Sequence, residues 1–248
     1  MVGAKPDSRR STLADRDALT ATGTAGGMPE RADVLDAFEE TLAPSRALER
    51  SVGVTLYGPP GSGKTEVALQ CAASFERAGG TIVHLECTPE DTGFGRFRRI
   101  ANDLGEELAE TGLALETARR RAIDRLRDAP GPRCVVVDDL DALGEDVRRQ
   151  LLLDVLEEVG TETTLGIVAT SGDLALRNDL SASERALLGD SERALRAYGD
   201  AELRAILDRR IRAATADDAV GEGLVEGAVR AARDRDGNVG YALELVGT

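Results

Sequence analysis

"LYGPPGSGKTEVALQ", Leu56 to Gln70, decides the fold of this 248-residue chain. Gly58, four residues, then Gly63, Lys64 and Thr65 make the spacing of a P-loop. Ahead of it, "SVGVTLYG" is a short β-branched run that predicts a strand. Behind it, "KTEVALQCAASFERAGG" carries Val67, Cys71 and Phe75 at four-residue spacing and predicts a helix ended by Gly79 and Gly80. Between a strand and a helix, the glycines let backbone N–H groups turn inward around phosphates, and the helix N-terminus adds the positive end of its dipole. Lys64 would neutralise the β- and γ-phosphates, and the Thr65 hydroxyl would ligate Mg²⁺. The expected nucleotide-binding residues are Gly58, Pro59, Pro60, Gly61, Ser62, Gly63, Lys64, Thr65 and Glu66, with ATP or ADP as the ligand.

Outward from this loop, strand and helix signals alternate. "MPERADVLDAFEETLAP" predicts a helix with Val34, Leu35, Phe38 and Leu42 on one face. "TIVHLEC", "RCVVVDDLDAL" and "TTLGIVATSG" predict three more strands, and "RALRAYG" a short fifth. Helical stretches lie between them at "DTGFGRFRRIANDLGEEL", "LALETARRRAIDRLRDA" and "EDVRRQLLLDVLEEVG". This alternation predicts a parallel, helix-covered α/β sheet. After Tyr198 only helical patterns follow. The expected organisation is a disordered tail over 1–27, a nucleotide-binding core over 28–198 and a small helical domain over 199–248, which the resemblance described below implies is a truncated lid.

"CVVVDDLDAL" supplies the partner to the P-loop. Asp138, at the C-terminal end of an apolar strand, is placed to hold Mg²⁺, usually through water. Asp139 reads two ways. It is a catalytic residue that would polarise water, one methylene shorter than the usual glutamate, or it is a helix N-cap or solvated carboxylate. The lone His84 reads as a satisfied strand histidine. Cys71, Cys87 and Cys134 have no metal-ligand spacing and read as small buried hydrophobes.

Net charge is −14, and Lys5 and Lys64 are the two lysines of the chain. Two readings account for this, a surface adapted to molar salt or an acidic protein from a GC-rich genome. The charge argues against binding nucleic acid through the whole surface. Arg96, Arg98 and Arg99 are either a local duplex contact or a solvated arginine face; Arg119 to Arg127 read as a salt-bridged surface helix. No run of about 20 apolar residues and no secretory h-region is present, so a cytoplasmic protein without membrane contact is expected.

These motifs together resemble the AAA+ module of the archaeal origin-recognition and cell-division-cycle replication initiators, from about Met28 onward. "MPERADVLDAF" is similar to that family's N-terminal box near the adenine, "HLECTPEDTGFGRFRRIANDLG" to its Asp-Thr segment, and "VVVDDLDAL" to its Walker B. "ATSGDLALRNDLSASERALL" is similar to its sensor 1 and arginine-finger region, and "YGDAELRAIL" to the start of its lid. The resemblance implies a P-loop AAA+ fold with a small helical lid, and a role connected with DNA replication initiation.

The departures carry as much. Where the family has a polar sensor 1 residue, this chain has Gly172; at the arginine-finger position it has Ser183, and at sensor 2 Gly240. A two-residue shift in alignment would restore Arg185 as the finger. The family's winged-helix DNA-binding domain would follow the lid, and the sequence ends at Thr248, so a short form with weak DNA contact is expected. The resemblance then implies a nucleotide-gated partner of full-length initiators with weak or no hydrolysis. The alternative is an active ATPase that couples hydrolysis to origin binding or remodelling.

Overall fold

The structure, a computed structural model, describes residues 27–214 and 222–247. All but Gly27 of the expected tail lies outside the described residues. Five strands form one all-parallel sheet: β1 (Val52–Tyr57), β2 (Thr81–Glu86), β3 (Arg133–Asp138), β4 (Leu165–Ser171) and β5 (Ser191–Ala194), in the order β2-β3-β4-β1-β5. Every residue of β1 and β4 is buried, as a parallel sheet covered on both faces requires. This is the doubly covered α/β P-loop sheet that the sequence predicts.

One face is covered by α1 (Ala32–Arg46) and α2 (Lys64–Arg77). Phe38, Leu42, Val67, Cys71 and Phe75 pack there on Val54, Leu56, Val136 and Val168. On the opposite face lie α3 (Gly93–Asp103), α4 (Leu115–Asp128), and the continuous helix formed by α5 (Glu145–Leu151), a π-helical stretch (Leu152–Glu157) and α6 (Glu158–Glu162). Phe97, Ile100, Ile123, Leu126, Leu152 and Leu156 bury the other side of β2, β3 and β4. After β4 come α7 (Leu176–Asp179) and α8 (Ala182–Leu188), which lead into β5.

The described chain divides into two compact units, Met28–Ala197 and a second that begins at Tyr198. In the second, α9 (Asp200–Ala214), α10 (Glu222–Arg233) and α11 (Val239–Gly247) bury Leu203, Leu207, Val229, Ala232 and Leu243 against one another. The Arg235 guanidinium stacks 3.7 Å from the Tyr241 ring centroid beside the start of α11.

Three local expectations change. The fifth strand runs over Ser191–Ala194, two residues earlier than "RALRAYG". It is an edge strand with no buried residue, so no apolar run marks it. Helix α3 stops at Asp103, because Gly105 takes a positive φ of 85° and the Asn102 side chain turns back to accept the Leu108 N–H at 2.8 Å. Arg96 is neither a duplex contact nor a solvated face: it is 1% exposed and forms an ion pair with Asp91. Of its neighbours, Arg98 pairs with Glu110 at 3.2 Å and Arg99 donates to the Glu86 carbonyl at 3.1 Å. The arginine run of α4 is salt-bridged as read: Arg119 meets Glu116 and Glu158, and Arg127 meets Glu158 and Glu162.

Gly53 in β1 allows the closest approach in the sheet. A Cβ there would strike the Leu187 carbonyl, and the strand is held to the end of α8 by Thr55 Oγ1 donating to the Leu188 carbonyl at 2.9 Å. Backbone on both sides cannot give way as a flexible side chain would. Gly53→Ala is expected to lower unfolding stability by about 1–3 kcal/mol, read as a lower denaturant midpoint in molar KCl; an unchanged midpoint would show that α8 is free to move off β1.

Candidate functional site

The C-terminal ends of β1, β3 and β4 bring the sequence-picked residues together. The loop Gly58–Gly63 leaves β1 and turns into α2, whose first two residues are Lys64 and Thr65. Gly63, the N-cap, has a φ of 87°, a conformation in which a side chain is strained. At Gly58 the constraint is space, since a Cβ would lie 2.6 Å from the Leu195 carbonyl oxygen and 2.9 Å from Ser62 Oγ. Lys64 Nζ folds back onto the loop and donates to the carbonyls of Gly58 at 2.8 Å and Pro59 at 3.1 Å. Glu66 is buried in the same first turn of α2.

Asp138 is 3% exposed at the end of β3. Its Oδ1 accepts hydroxyls from Thr65 of α2 at 3.1 Å and from Thr170 of β4 at 2.6 Å. The same Thr170 oxygen accepts the Asp139 N–H at 2.9 Å. Burial alone would raise the Asp138 carboxyl, but the His84 imidazole and the Thr170 and Thr65 hydroxyls outweigh it and hold it below the ordinary aspartate range. Asp139 moves the other way: burial raises it first, and Asp138 adds to this against the pull of Lys64. Its backbone is left-handed, φ 54°, and its side chain makes no capping hydrogen bond to the 3₁₀ turn that follows. Burial lowers Lys64, opposed by Asp139, Asp138 and Asp141.

The residues fit a nucleotide phosphate chain with its cation. Ser62 Oγ is buried inside the loop without a hydrogen-bond partner among the described residues. The Gly58 cradle has no room for a side chain, and the paired Thr65 hydroxyl and Asp138 carboxylate are hard oxygen donors of the kind Mg²⁺ takes.

The departures from the family pattern fall on defined surroundings. Gly172 follows β4, and its N–H is held by Asp141 Oδ1 at 2.9 Å; Ser171 Oγ is spent on Asp173, donating to its carbonyl at 2.8 Å. Ser183 and Arg185 are both exposed on α8, whose N-terminus is fixed by a Ser181–Glu184 capping box and a buried Glu184–Arg148 pair at 3.1 Å. Gly240 lies on α11 in the other unit.

Three residues at the site are not assigned to it by the sequence. Arg31, 5% exposed, donates from Nε and Nη2 to the Ser62 carbonyl at 3.3 and 3.0 Å and from Nη2 to the Arg196 carbonyl at 2.7 Å, so it braces the P-loop from behind. Thr170 links the two aspartates. His84, read as satisfied, has its Nε2 buried without a hydrogen-bond partner, 3.7 Å from Asp138 Oδ2. At that length it is outside hydrogen-bond range. The other predicted features among the described residues stand apart from chemistry: Cys71, Cys87 and Cys134 are buried and free, and burial pushes Cys71 and Cys87 up to about 12. No helix among the described residues is long and apolar enough to cross a membrane.

Thr170→Val keeps the volume but takes the acceptor from the part-buried Asp139 N–H and one hydroxyl from the buried Asp138 carboxylate. It is expected to cost about 1–3 kcal/mol of stability, measured by denaturant unfolding beside the wild type; a cost near zero would mean the hydroxyl contributes nothing to holding the two aspartates.

Comparison with known proteins agrees with this geometry. A family model described as an AAA domain matches residues 50–175. An ORC1-type DNA replication protein 10 of Halobacterium salinarum is 26% identical, over 97% of this chain and 61% of the relative. An ORC1-type DNA replication protein of Methanoregula boonei is 24% identical, over 96% of this chain and 60% of the relative. The chain therefore spans about three fifths of the length of these curated relatives. Among solved structures, the Aeropyrum pernix ORC1 protein, in complex with DNA, superposes with a TM-score of 0.82 at 24% identity, over 96% of this chain and 64% of that one. Cdc6p of Pyrobaculum aerophilum gives 0.77 at 18% identity, over 94% of this chain and 64% of that one; both likenesses concern the fold. With the matched AAA domain spanning the sheet from β1 to β4 and the P-loop and Asp138 inside it, the chain belongs to the AAA domain family and is similar, within it, to the ORC1-type replication proteins.

Proposed function

We propose that the protein binds ATP or ADP with Mg²⁺ and acts in replication initiation as a nucleotide-gated interaction partner, with weak or no hydrolysis. The observation that carries the binding half is the Thr65–Asp138 bond in front of a P-loop whose lysine faces inward. In this reading Lys64 exchanges the Gly58 and Pro59 carbonyls for phosphate oxygens, Ser62 and the loop N–H groups take others, and Thr65 and Asp138 hold the cation. Mg²⁺ supplies charge neutralisation to the phosphates.

The hydrolysis half rests on the residues at the positions where the resemblance expects polar or charged groups. Gly172 offers no side chain and Ser171 is already bonded to Asp173. Ser183 carries no charge, and an arginine finger alone is worth about 10³–10⁵ in rate. Asp139 is one methylene shorter than glutamate, which draws its carboxylate back from a water at the γ-phosphate. Full-length initiators are the partners that the likeness to ORC1-type proteins favours, and DNA contact through this chain is weak under the acidic charge of −14. The charge and the scarcity of lysine favour a salt-adapted setting, and a cytoplasmic place goes with the replication role. Residues 199–248 act as the lid of the 28–198 core.

The test measures ADP and ATP binding and single-turnover hydrolysis in the same samples in molar KCl. Wild type is expected to bind and not turn over within many binding lifetimes. Lys64→Ala should weaken binding at least about tenfold, equivalent to about 1.4 kcal/mol; unchanged binding would sink the P-loop reading. Turnover that vanishes in Asp139→Asn would replace the proposal with the active ATPase, with Asp139 as its catalytic residue.

A further inference from the structure

The backbone is strained at Asp139, the residue directly after the carboxylate that the proposed reading gives to the cation. Its φ of 54° and ψ of 50° are left-handed, a conformation that a residue with a side chain enters only at a cost. Such a conformation persists where surrounding contacts hold it, and it concentrates at functional sites. Here the Asp139 side chain makes no capping bond, and the Asp139 N–H is held by the Thr170 hydroxyl at 2.9 Å. That hydroxyl donates in turn to Asp138 Oδ1 at 2.6 Å, the length of a charge-assisted bond. One oxygen thus fixes the carboxylate of one aspartate and the backbone of the next.

The sheet places Thr170 for this. Strand β4 lies between β3 and β1, and its Ala169 pairs in register with Val137 of β3. One step further along each strand, Thr170 and Asp138 share the face that carries Val168 and Val136. Thr170 is fully buried and β-branched, so its side chain has little freedom to turn. Thr65, the other donor to Oδ1, stands differently. It lies in the first turn of α2, directly after the P-loop, and its hydroxyl is a cation ligand in the proposed reading. Thr65 is carried by the element that closes on phosphates and Thr170 by the middle of the sheet, so Thr170 is the fixed point of the pair. Because its hydroxyl accepts from Asp139 while donating to Asp138, each bond polarises the other. A change at the carboxylate is therefore felt at the Asp139 amide.

We infer that Thr170 is a positioning residue of this site: its hydroxyl aims the Asp138 carboxylate and sets how strongly Mg²⁺ tightens nucleotide binding. The inference rests on the nucleotide-binding reading and adds to it a residue outside the P-loop and the Asp138 strand. A hydroxyl that did no more than complete buried hydrogen bonds would leave the Mg²⁺ effect as it is.

The test measures ADP affinity on the full chain in molar KCl, once with Mg²⁺ and once with EDTA, for wild type, Thr170→Val and Thr170→Ser. The ratio of the two affinities is the Mg²⁺ effect. It should fall about tenfold in Thr170→Val, the lower end of what losing the outer partner of a metal ligand costs. Affinity in EDTA should match wild type, because Lys64 and the loop N–H groups meet the phosphates without Thr170. Thr170→Ser keeps the hydroxyl and should restore the ratio. The inference fails, and the nucleotide-binding reading survives, if the ratio is one in wild type or unchanged in Thr170→Val. It fails in the same way if affinity in EDTA drops as much as with Mg²⁺, or if the serine variant behaves like the valine one. Wild type that binds ADP in neither solution overturns both. Should Thr170→Val not fold, hydrogen exchange of the Asp139 amide in wild type decides. Mg²⁺ with ADP should slow it more than ADP alone, and equal rates would overturn the inference.

Discussion

The Asp138 carboxylate is the constraint on which the rest of the site depends. One buried oxygen accepts hydroxyls from residues 73 positions before it and 32 after it. That single acceptor ties the first turn of α2 and the end of β4 to the end of β3. A buried carboxylate must be compensated, and here the compensation comes from two hydroxyls and a neighbouring imidazole. The groups that stabilise the charge in the fold are therefore the groups that would surround a cation. Sheet order enforces this: β4 lies between β1 and β3, so the P-loop strand and the Asp138 strand are two apart and their ends open towards the same space.

What the sequence could disclose follows from how local each role is. Lys64, Thr65 and Asp138 were legible because their chemistry is fixed by neighbours a few residues away: glycines before a helix, an apolar run before an acid. Thr170 was not, because its role is to bridge two aspartates across strand pairing, and a threonine at a strand end carries no local mark. His84 was misread for the same reason, since nothing in "TIVHLEC" says which face meets α2. Arg31 sits inside a stretch whose family likeness was noted, yet its contacts lie 31 and 165 residues away. Arg96 was misplaced because charge was taken as a sign of exposure; helix periodicity puts it on the same turn as Phe97 and Ile100, and the turn ahead of α3 provides Asp91 to meet it. The edge strand β5 starts ahead of the expected run because Leu195, the apolar residue of that run, belongs to the core just past the strand's end.

Arg31 shows how the loop is held ready. A P-loop works by presenting backbone N–H groups, and these aim correctly only if the opposite carbonyls are restrained. The guanidinium takes the Ser62 carbonyl on one side and the Arg196 carbonyl, just beyond β5, on the other. Its planar fork suits two fixed acceptors better than an ammonium would. A loop ordered in advance loses less entropy when it closes on phosphates.

The electrostatics separate binding from turnover. Lys64 stands among Asp138, Asp139 and Asp141, all of which favour its charged form against burial. Phosphates added to this group of acids would be repelled by three carboxylates and attracted by one ammonium, so affinity depends on a divalent cation arriving with them. Molar salt screens exposed charges within a few ångströms but screens the buried Asp138 carboxylate much less. Catalysis needs a different set, groups that strengthen as charge develops on the γ-phosphate. Under the proposed reading, two of those positions are held by Gly172 and Ser183, neither of which carries charge. In that reading, binding energy spent equally on ground state and transition state would hold the nucleotide without hastening its cleavage, as a switch set by which nucleotide it holds would require.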